Sequence, residues 1–160
     1  MRRHLVLVMI LALVLGVLAA PASGKKGELK DRPFKATADR IEAEPSGDCP
    51  TGYEVAEDST YTGRGTHLGR FTMDETLCLD LDTFEFFVDG TIFAANGDEL
   101  NFSVGGIFPQ SSGWVFEGGT GRFASAEGVA HETLIRDNGG PIIGIEAEGT
   151  IRFDASDRSR

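Results

Sequence analysis

The stretch FEGGTGRFASAEG, residues 116–128, decides the fold. Inside it, Gly119-Thr120-Gly121-Arg122-Phe123-Ala124 satisfies the loose dinucleotide fingerprint G-x-G-x-x-A, and Glu146 stands at a plausible distance downstream. That fingerprint works only where a helix begins within it, because the helix N-terminus receives the pyrophosphate. Here Gly128 and β-branched residues follow within a few positions, which leaves no room for a helix. No Lys-Ser/Thr pair closes a P-loop either. The stretch therefore reads as a tight turn entering a strand with one small face, made of Ala124, Ala126, Gly128 and Ala130. Small residues let another backbone or a bulky ring come close. No nucleotide or other cofactor is expected.

On either side the texture is uniform. Short runs rich in Phe, Val, Ile and Thr alternate with turns drawn from 21 glycines, and no long segment carries helical periodicity. This predicts an all-β domain, barrel or sandwich. The expected strands are Phe34–Ala43, Tyr53–Thr66, Arg70–Leu81, Phe84–Ala95, Glu99–Gly106, Gly113–Glu117, Phe123–Ile135 and Ile142–Phe153. Ala95-Asn96-Gly97-Asp98 is expected to form a type I′ hairpin turn, since Asn-Gly tolerates positive φ. Leu81–Phe84 and Asp137–Pro141 are the next turns. Consecutive hairpins predict an up-and-down meander, and closing it into a barrel removes exposed edges.

Period-2 alternation assigns faces. On the third strand Phe71, Met73, Glu75, Leu77, Leu79 and Leu81 point in, and Cys78 points out. On the fifth, Leu100, Phe102 and Val104 point in. On the last, Ile143, Ile145, Ala147, Ile151 and Phe153 point in. The fourth strand carries Phe84, Phe86, Val88 and Ile92 on one face and Phe87 and Phe93 on the other. The outer pair needs cover, from the chain's own ends or from a second subunit.

The N-terminus carries an address. Arg2 and Arg3 precede the unbroken apolar run Leu5–Ala20, and Ala20-Pro21-Ala22 supplies small residues for a signal peptidase. The run is shorter than the roughly 20 residues a spanning helix needs, so cleavage after Ala22 and no lasting membrane anchor are expected. The domains read as a signal peptide, 1–22; a flexible lead-in, 23–32; a barrel domain, 33–155; and a polar tail, 156–160. Secreted or periplasmic localisation is the resulting expectation. Arg2 and Arg3 leave with the leader, so the remaining chain holds 13 basic and 25 acidic residues, a net charge of −12. Such a surface repels nucleic acid and anionic lipid. Export favours a Cys49–Cys78 disulfide over two free thiols; a loop of about 30 residues contributes roughly 3–4 kcal/mol. No CxxC or HxxxH occurs, and no metal site is expected.

Three stretches carry a resemblance. Gly118–Gly128 (GGTGRFASAEG) is similar to the glycine-rich strand-turn of the allene oxide cyclase barrel-like superfamily, whose pattern runs G-G-T-G-x-F-x-G-A-x-G. Gly65–Thr72 (GTHLGRFT) and Ala94–Leu100 (AANGDEL) resemble its bacterial members. Together they cover about Gly63 to Gly128, and Ser125 stands where the family carries glycine. The resemblance implies an eight-stranded antiparallel barrel with an apolar lumen, often oligomeric. Catalytic residues of the plant cyclase find no matching motif here, so none is carried over. The related dirigent proteins steer coupling of bound radicals made elsewhere, which makes a binding role as natural to this barrel as an enzymatic one.

Among polar residues, Glu75 stands out as a carboxylate on an apolar inner face, costly to bury charged. His67 shares its parity unless the flanking Gly65 and Gly69 introduce a bulge. Glu127 and His131 share parity on the seventh strand and form a candidate His–Glu pair. The candidate ligand-binding set is Glu75, His67, Phe71, Met73, Phe102, Trp114 and His131. The expected function is binding of a small apolar or amphipathic molecule in the lumen. An isomerase or cyclase acting on such a molecule, and a structural protein with a filled barrel, are the alternatives. Eleven phenylalanines weigh toward filling.

Overall fold

The computed structural model describes residues 29–108, 110, 111 and 113–154. The proposed leader, most of the lead-in and the polar tail lie outside them. The elements are β1 (Arg32–Pro45), β2 (Val55–Gly65), β3 (Gly69–Leu79), β4 (Glu85–Ala94), β5 (Glu99–Ile107), the two-residue β6 (Gln110–Ser111), β7 (Trp114–Gly119), β8 (Glu127–Arg136) and β9 (Ile142–Arg152), with one 3-10 turn at Gly121–Phe123. Strands are hydrogen-bonded in the order β4-β3-β2-β1-β9-β8-β7-β5, and a β4–β5 ladder closes the ring. All these pairings are antiparallel. The domain is thus an eight-stranded up-and-down barrel, as the meander predicts; β6 only extends the end of β5.

Alternation holds along most of the wall. Phe71, Met73, Leu100, Phe102, Val104, Ile145, Ala147 and Ile151 are buried inside. Ile143 differs: it is 45 % exposed. The β8–β9 ladder pairs Ile135 with Gly144 and Arg136 with Ile142, skipping Ile143. This bulge turns Ile143 outward, and Ile142 lines the lumen in its place. A second irregularity, between Arg40 and Glu42 in β1, pushes Ile41 out. Leu81 and Phe84 also fall outside the strands; they sit in the exposed β3–β4 turn, with Phe84 at φ 59°. There the Asp80 carboxylate accepts the backbone N–H groups of Asp82 and Thr83 at 2.8 and 2.9 Å.

The hairpin turns exchange roles. At Ala95–Gly97 only Gly97 has positive φ, and Gly97 N donates to Ala94 O at 2.9 Å. This is a three-residue loop with glycine at the left-handed position, not the expected type I′ turn. Both Asn138 (φ 48°) and Gly139 (φ 79°) are positive, and Gly140 N donates to Asp137 O at 2.7 Å, so the I′ geometry lies there.

The glycine stretch is a turn, though a longer one than predicted. β7 runs through Gly119, Gly121–Phe123 forms one 3-10 turn, and β8 begins only at Glu127, which leaves Ala124 and Ser125 exposed before it. Gly121 has φ 52°, and a Cβ there would overlap the Asp98 carboxylate. The loop folds down onto the β4–β5 hairpin. Glu99 N donates to Thr120 Oγ1 at 2.9 Å, and Arg122 N to Asp98 Oδ2 at 3.3 Å.

Outside the wall, Cys49 and Cys78 form a disulfide with Cα atoms 5.6 Å apart. It straps the segment after β1 onto β3, so Cys78 points outward yet is buried. Tyr53 on the same strap meets the Phe87 ring edge-on at 5.1 Å, covering one outer phenylalanine of β4. The other, Phe93, stays partly exposed.

Candidate functional site

The two halves of the lumen are built differently. Toward the β2–β3 and β4–β5 turns the interior is filled. Phe34, Phe102, Trp114, Phe116, Phe123 and Leu68 are all but inaccessible. Phe102 stacks on Trp114 at 4.5 Å with 20° between planes, and Phe34 meets Phe116 edge-on at 4.7 Å. Gly90 makes room for this plug, since a Cβ there would overlap the Phe102 ring. Arg122 ties the end shut, 3.5 Å from Asp98 and donating to His67 O at 2.5 Å.

Toward the β3–β4 and β8–β9 turns the lumen is hollow. A cavity of about 450 Å3 opens there, walled by Leu77, Leu79, Phe86, Val88, Leu134, Ile142 and Ile145, with Phe108 and Arg136 at its mouth and Tyr61, Glu75 and Glu132 at its floor. Phe108 of this mouth is exposed, as are Leu81 and Phe84 in the β3–β4 turn and Ile107 at the end of β5. The barrel is half filled and half hollow.

The floor is polar, and its hydrogen bonds are specific. Tyr61 Oη donates to Glu75 Oε1 at 2.9 Å, and Trp114 Nε1 donates to Glu132 Oε2 at 2.6 Å. Arg40, inward-facing on β1, pairs with Glu57, which also accepts from Ser59 Oγ at 3.2 Å. Burial pushes the Glu75 carboxyl up to about 7; the Tyr61 hydrogen bond and Arg40 hold it down, while the charges of Glu132 and Glu57 raise it. Glu132 is raised as well, chiefly by burial and against its Trp114 hydrogen bond. Burial and the neighbouring Glu75 push the Tyr61 hydroxyl up, so it stays protonated and able to donate.

The candidates read from sequence scatter over this frame. Glu75 lies in the cavity. Trp114 sits at the boundary, its ring in the plug and its N–H bonded to Glu132 of the floor. Phe71, Met73 and Phe102 are buried core rather than cavity lining. His67 caps the closed end at φ 65°, its Nε2 donating to Pro33 O at 3.1 Å and its ring against Phe153. Burial lowers its pKa, the bond to Pro33 opposes this, and Arg32 and Arg122 lower it further. His131 faces outward beside Lys35, Glu146 and Glu148, and Glu127 is exposed on the same outer face. Sequence reading missed Tyr61 and Glu132. The signal for Glu132 was present, because it continues the small inner face Ala126, Gly128, Ala130 by one more step.

The outer wall carries a shallow groove of about 690 Å3 lined by acids, but Thr60 and Thr76 donate to Asp74 and Asp58 in it, at 2.9 and 2.6 Å. Among the described residues no group of three or more His, Cys, Asp and Glu side chains is placed to hold a metal ion, and no helix is long and apolar enough to cross a membrane.

What this geometry defines is an antiparallel barrel with a one-ended lumen, apolar-walled and carboxyl-floored. No protein-family model, no curated protein and no solved structure matches the chain.

Proposed function

We propose that this chain is an exported binding protein that holds a small amphipathic molecule in the hollow half of its barrel. The observation that carries this reading is the cavity of about 450 Å3, with apolar walls and a few converging polar groups at one end. That is the form a small-molecule site takes. Apolar ligand area buried there stabilises the complex by roughly 25 cal/mol per Å2. The leader-like Leu5–Ala20 run and the disulfide support export. The similarity of Gly118–Gly128 to the allene oxide cyclase barrel-like superfamily supports a lumen used for ligands. Self-association, expected from the same similarity, has its best support in the partly exposed Phe93.

Trp114 is the chain's single tryptophan, and its N–H bonds Glu132 of the cavity floor, so its fluorescence is expected to report occupancy. Native mass spectrometry of protein from its own host is expected to show a retained ligand whose removal shifts the Trp114 emission. Protein that comes off ligand-free, with emission indifferent to a panel of amphipathic compounds, would sink the reading. An isomerase is the second reading, favoured by Glu75 sitting near neutrality beside a protonated Tyr61. Under it, Glu75→Gln abolishes turnover and spares binding.

A further inference from the structure

If the lumen is a binding site, as proposed above, the chemistry of its floor narrows the ligand. Glu75 belongs to β3 and Glu132 to β8, four strands apart in a ring of eight, so the two carboxyls approach the same space from opposite walls. Each has one oxygen engaged by a donor built into the barrel, at 2.9 Å from Tyr61 and 2.6 Å from Trp114. Among the described residues no side chain donates to Glu75 Oε2 or Glu132 Oε1. Of the nearby cations, Arg40 is held by Glu57, and Arg136 stands at the mouth, donating to Gly140 O at 3.2 Å. The floor therefore offers two carboxyl oxygens that no side-chain donor takes up, and negative charge once the two acids ionise. An anionic headgroup would meet like charge unpaired, which is costly in a site with little water. A headgroup that brings its own protons and positive charge would find two acceptors already oriented.

We propose that the lumen takes an amphipathic amine, its ammonium seated between Glu75 and Glu132 and its hydrocarbon chain lying along Leu77, Val88, Leu134 and Ile145 toward the mouth. The ammonium becomes a shared partner of both carboxyls and relieves their mutual repulsion. The groups facing Glu75 are Tyr61 and Glu57 from β2, Arg40 from β1 and Glu132 from β8; Trp114 of β7 and Arg136 of β8 face Glu132 and the mouth. Glu75 and Glu132 must both give up their protons for the full interaction, so amine binding strengthens as pH rises toward and past neutrality and is accompanied by proton release.

The test is calorimetric titration of the full chain at pH 8 with decylamine, decanol and decanoate, each below its micelle concentration, in two buffers of different ionisation enthalpy. Decylamine is expected to bind at least tenfold more tightly than decanol, and decanoate more weakly than both. Glu75→Gln and Glu132→Gln are each expected to weaken decylamine by tenfold or more while leaving decanol within about twofold. Decanoate binding as tightly as decylamine, or both glutamine variants leaving the amine unaffected, overturns the amine assignment and leaves a binding lumen in place. Failure of all three compounds to bind overturns the lumen reading itself. The comparison among ligands uses the unaltered chain, so it stands even if a variant does not fold.

Discussion

The closed and open ends of this barrel share one wall and one hydrogen-bonding pattern, yet they hold opposite contents. At the closed end the inward positions are large and aromatic: Phe34, Phe102, Phe116 and Phe123, with Leu68 and Ile151 beside them. At the open end the inward positions are aliphatic with acids among them: Leu77, Leu79, Val88, Leu134, Glu75 and Glu132. A single strand can cross both regions: β3 passes from Phe71 and Met73 in the plug to Glu75 and Leu77 at the cavity. The difference teaches that an eight-stranded barrel need not be either filled or hollow. Side-chain volume, chosen position by position, sets where the filling stops. Trp114 marks that level, since its ring stacks downward on Phe102 and its N–H points to Glu132.

The contrast can be broken by truncation. Phe102→Ala is expected to cost about 3–5 kcal/mol, because the ring is fully packed and leaves a void. Leu134→Ala, on the cavity wall, is expected to cost about 1 kcal/mol or less, since it enlarges a space already present. Urea unfolding of the two variants gives the comparison directly; equal losses would mean that the open half is as tightly packed as the closed one.

Next in size is the strap. Replacing both Cys49 and Cys78 by serine is expected to lower stability by about 3–4 kcal/mol, from the freedom a loop of roughly 30 residues regains when unfolded. The same variant is expected to lose ligand affinity as well, which Trp114 emission reads.

The floor acids give an effect of similar order with a defined sign. Glu75 is raised from 4.5 to about 7 in the folded chain, so the folded state holds this proton more tightly than the unfolded one. Its contribution to stability is fully present below pH 4.5 and is lost as pH rises through about 7. At 1.36 kcal/mol per unit the loss is roughly 3 kcal/mol, and Glu132 shifts in the same direction. Urea midpoints across that window are expected to fall with pH, and Glu75→Gln is expected to flatten the slope. A slope unchanged in Glu75→Gln would place the titration elsewhere.

The smallest effect belongs to the outside. Lys35 and Glu148 pair at 2.7 Å on the surface, both side chains more than half exposed. Lys35→Ala is expected to change stability by no more than about 0.5 kcal/mol. A larger loss would show the outer face contributing where only the interior is expected to.

Much of the fold was legible because alternation is a local signal. Leu100, Phe102 and Val104 sit inside as period 2 requires, and the meander follows from turn chemistry along a chain without helical segments. Ile143 was not legible, since a bulge is decided by how two strands match in length and twist, and neither strand states it alone. The hairpin at Asn96-Gly97 also receives Arg122, whose guanidinium bonds Asn96 Oδ1 at 3.3 Å from 26 residues away, a partner the local sequence does not show. The site was half legible for the same reason. Glu75 declared itself as an acid among apolar neighbours on its own strand. Tyr61 and Glu132 matter through partners on other strands, which only ring closure brings to the same depth.

The strap has a consequence for how an empty chamber survives. Cys78 lies between Leu77 and Leu79, and Phe87 lies between Phe86 and Val88; all four flanking residues line the hollow half. Both outer contacts thus lie behind the wall of the hollow half. Masonry vaults solve the same problem with buttresses: what cannot be propped from within is braced from without. This barrel braces the wall of its hollow half in the same way, from outside.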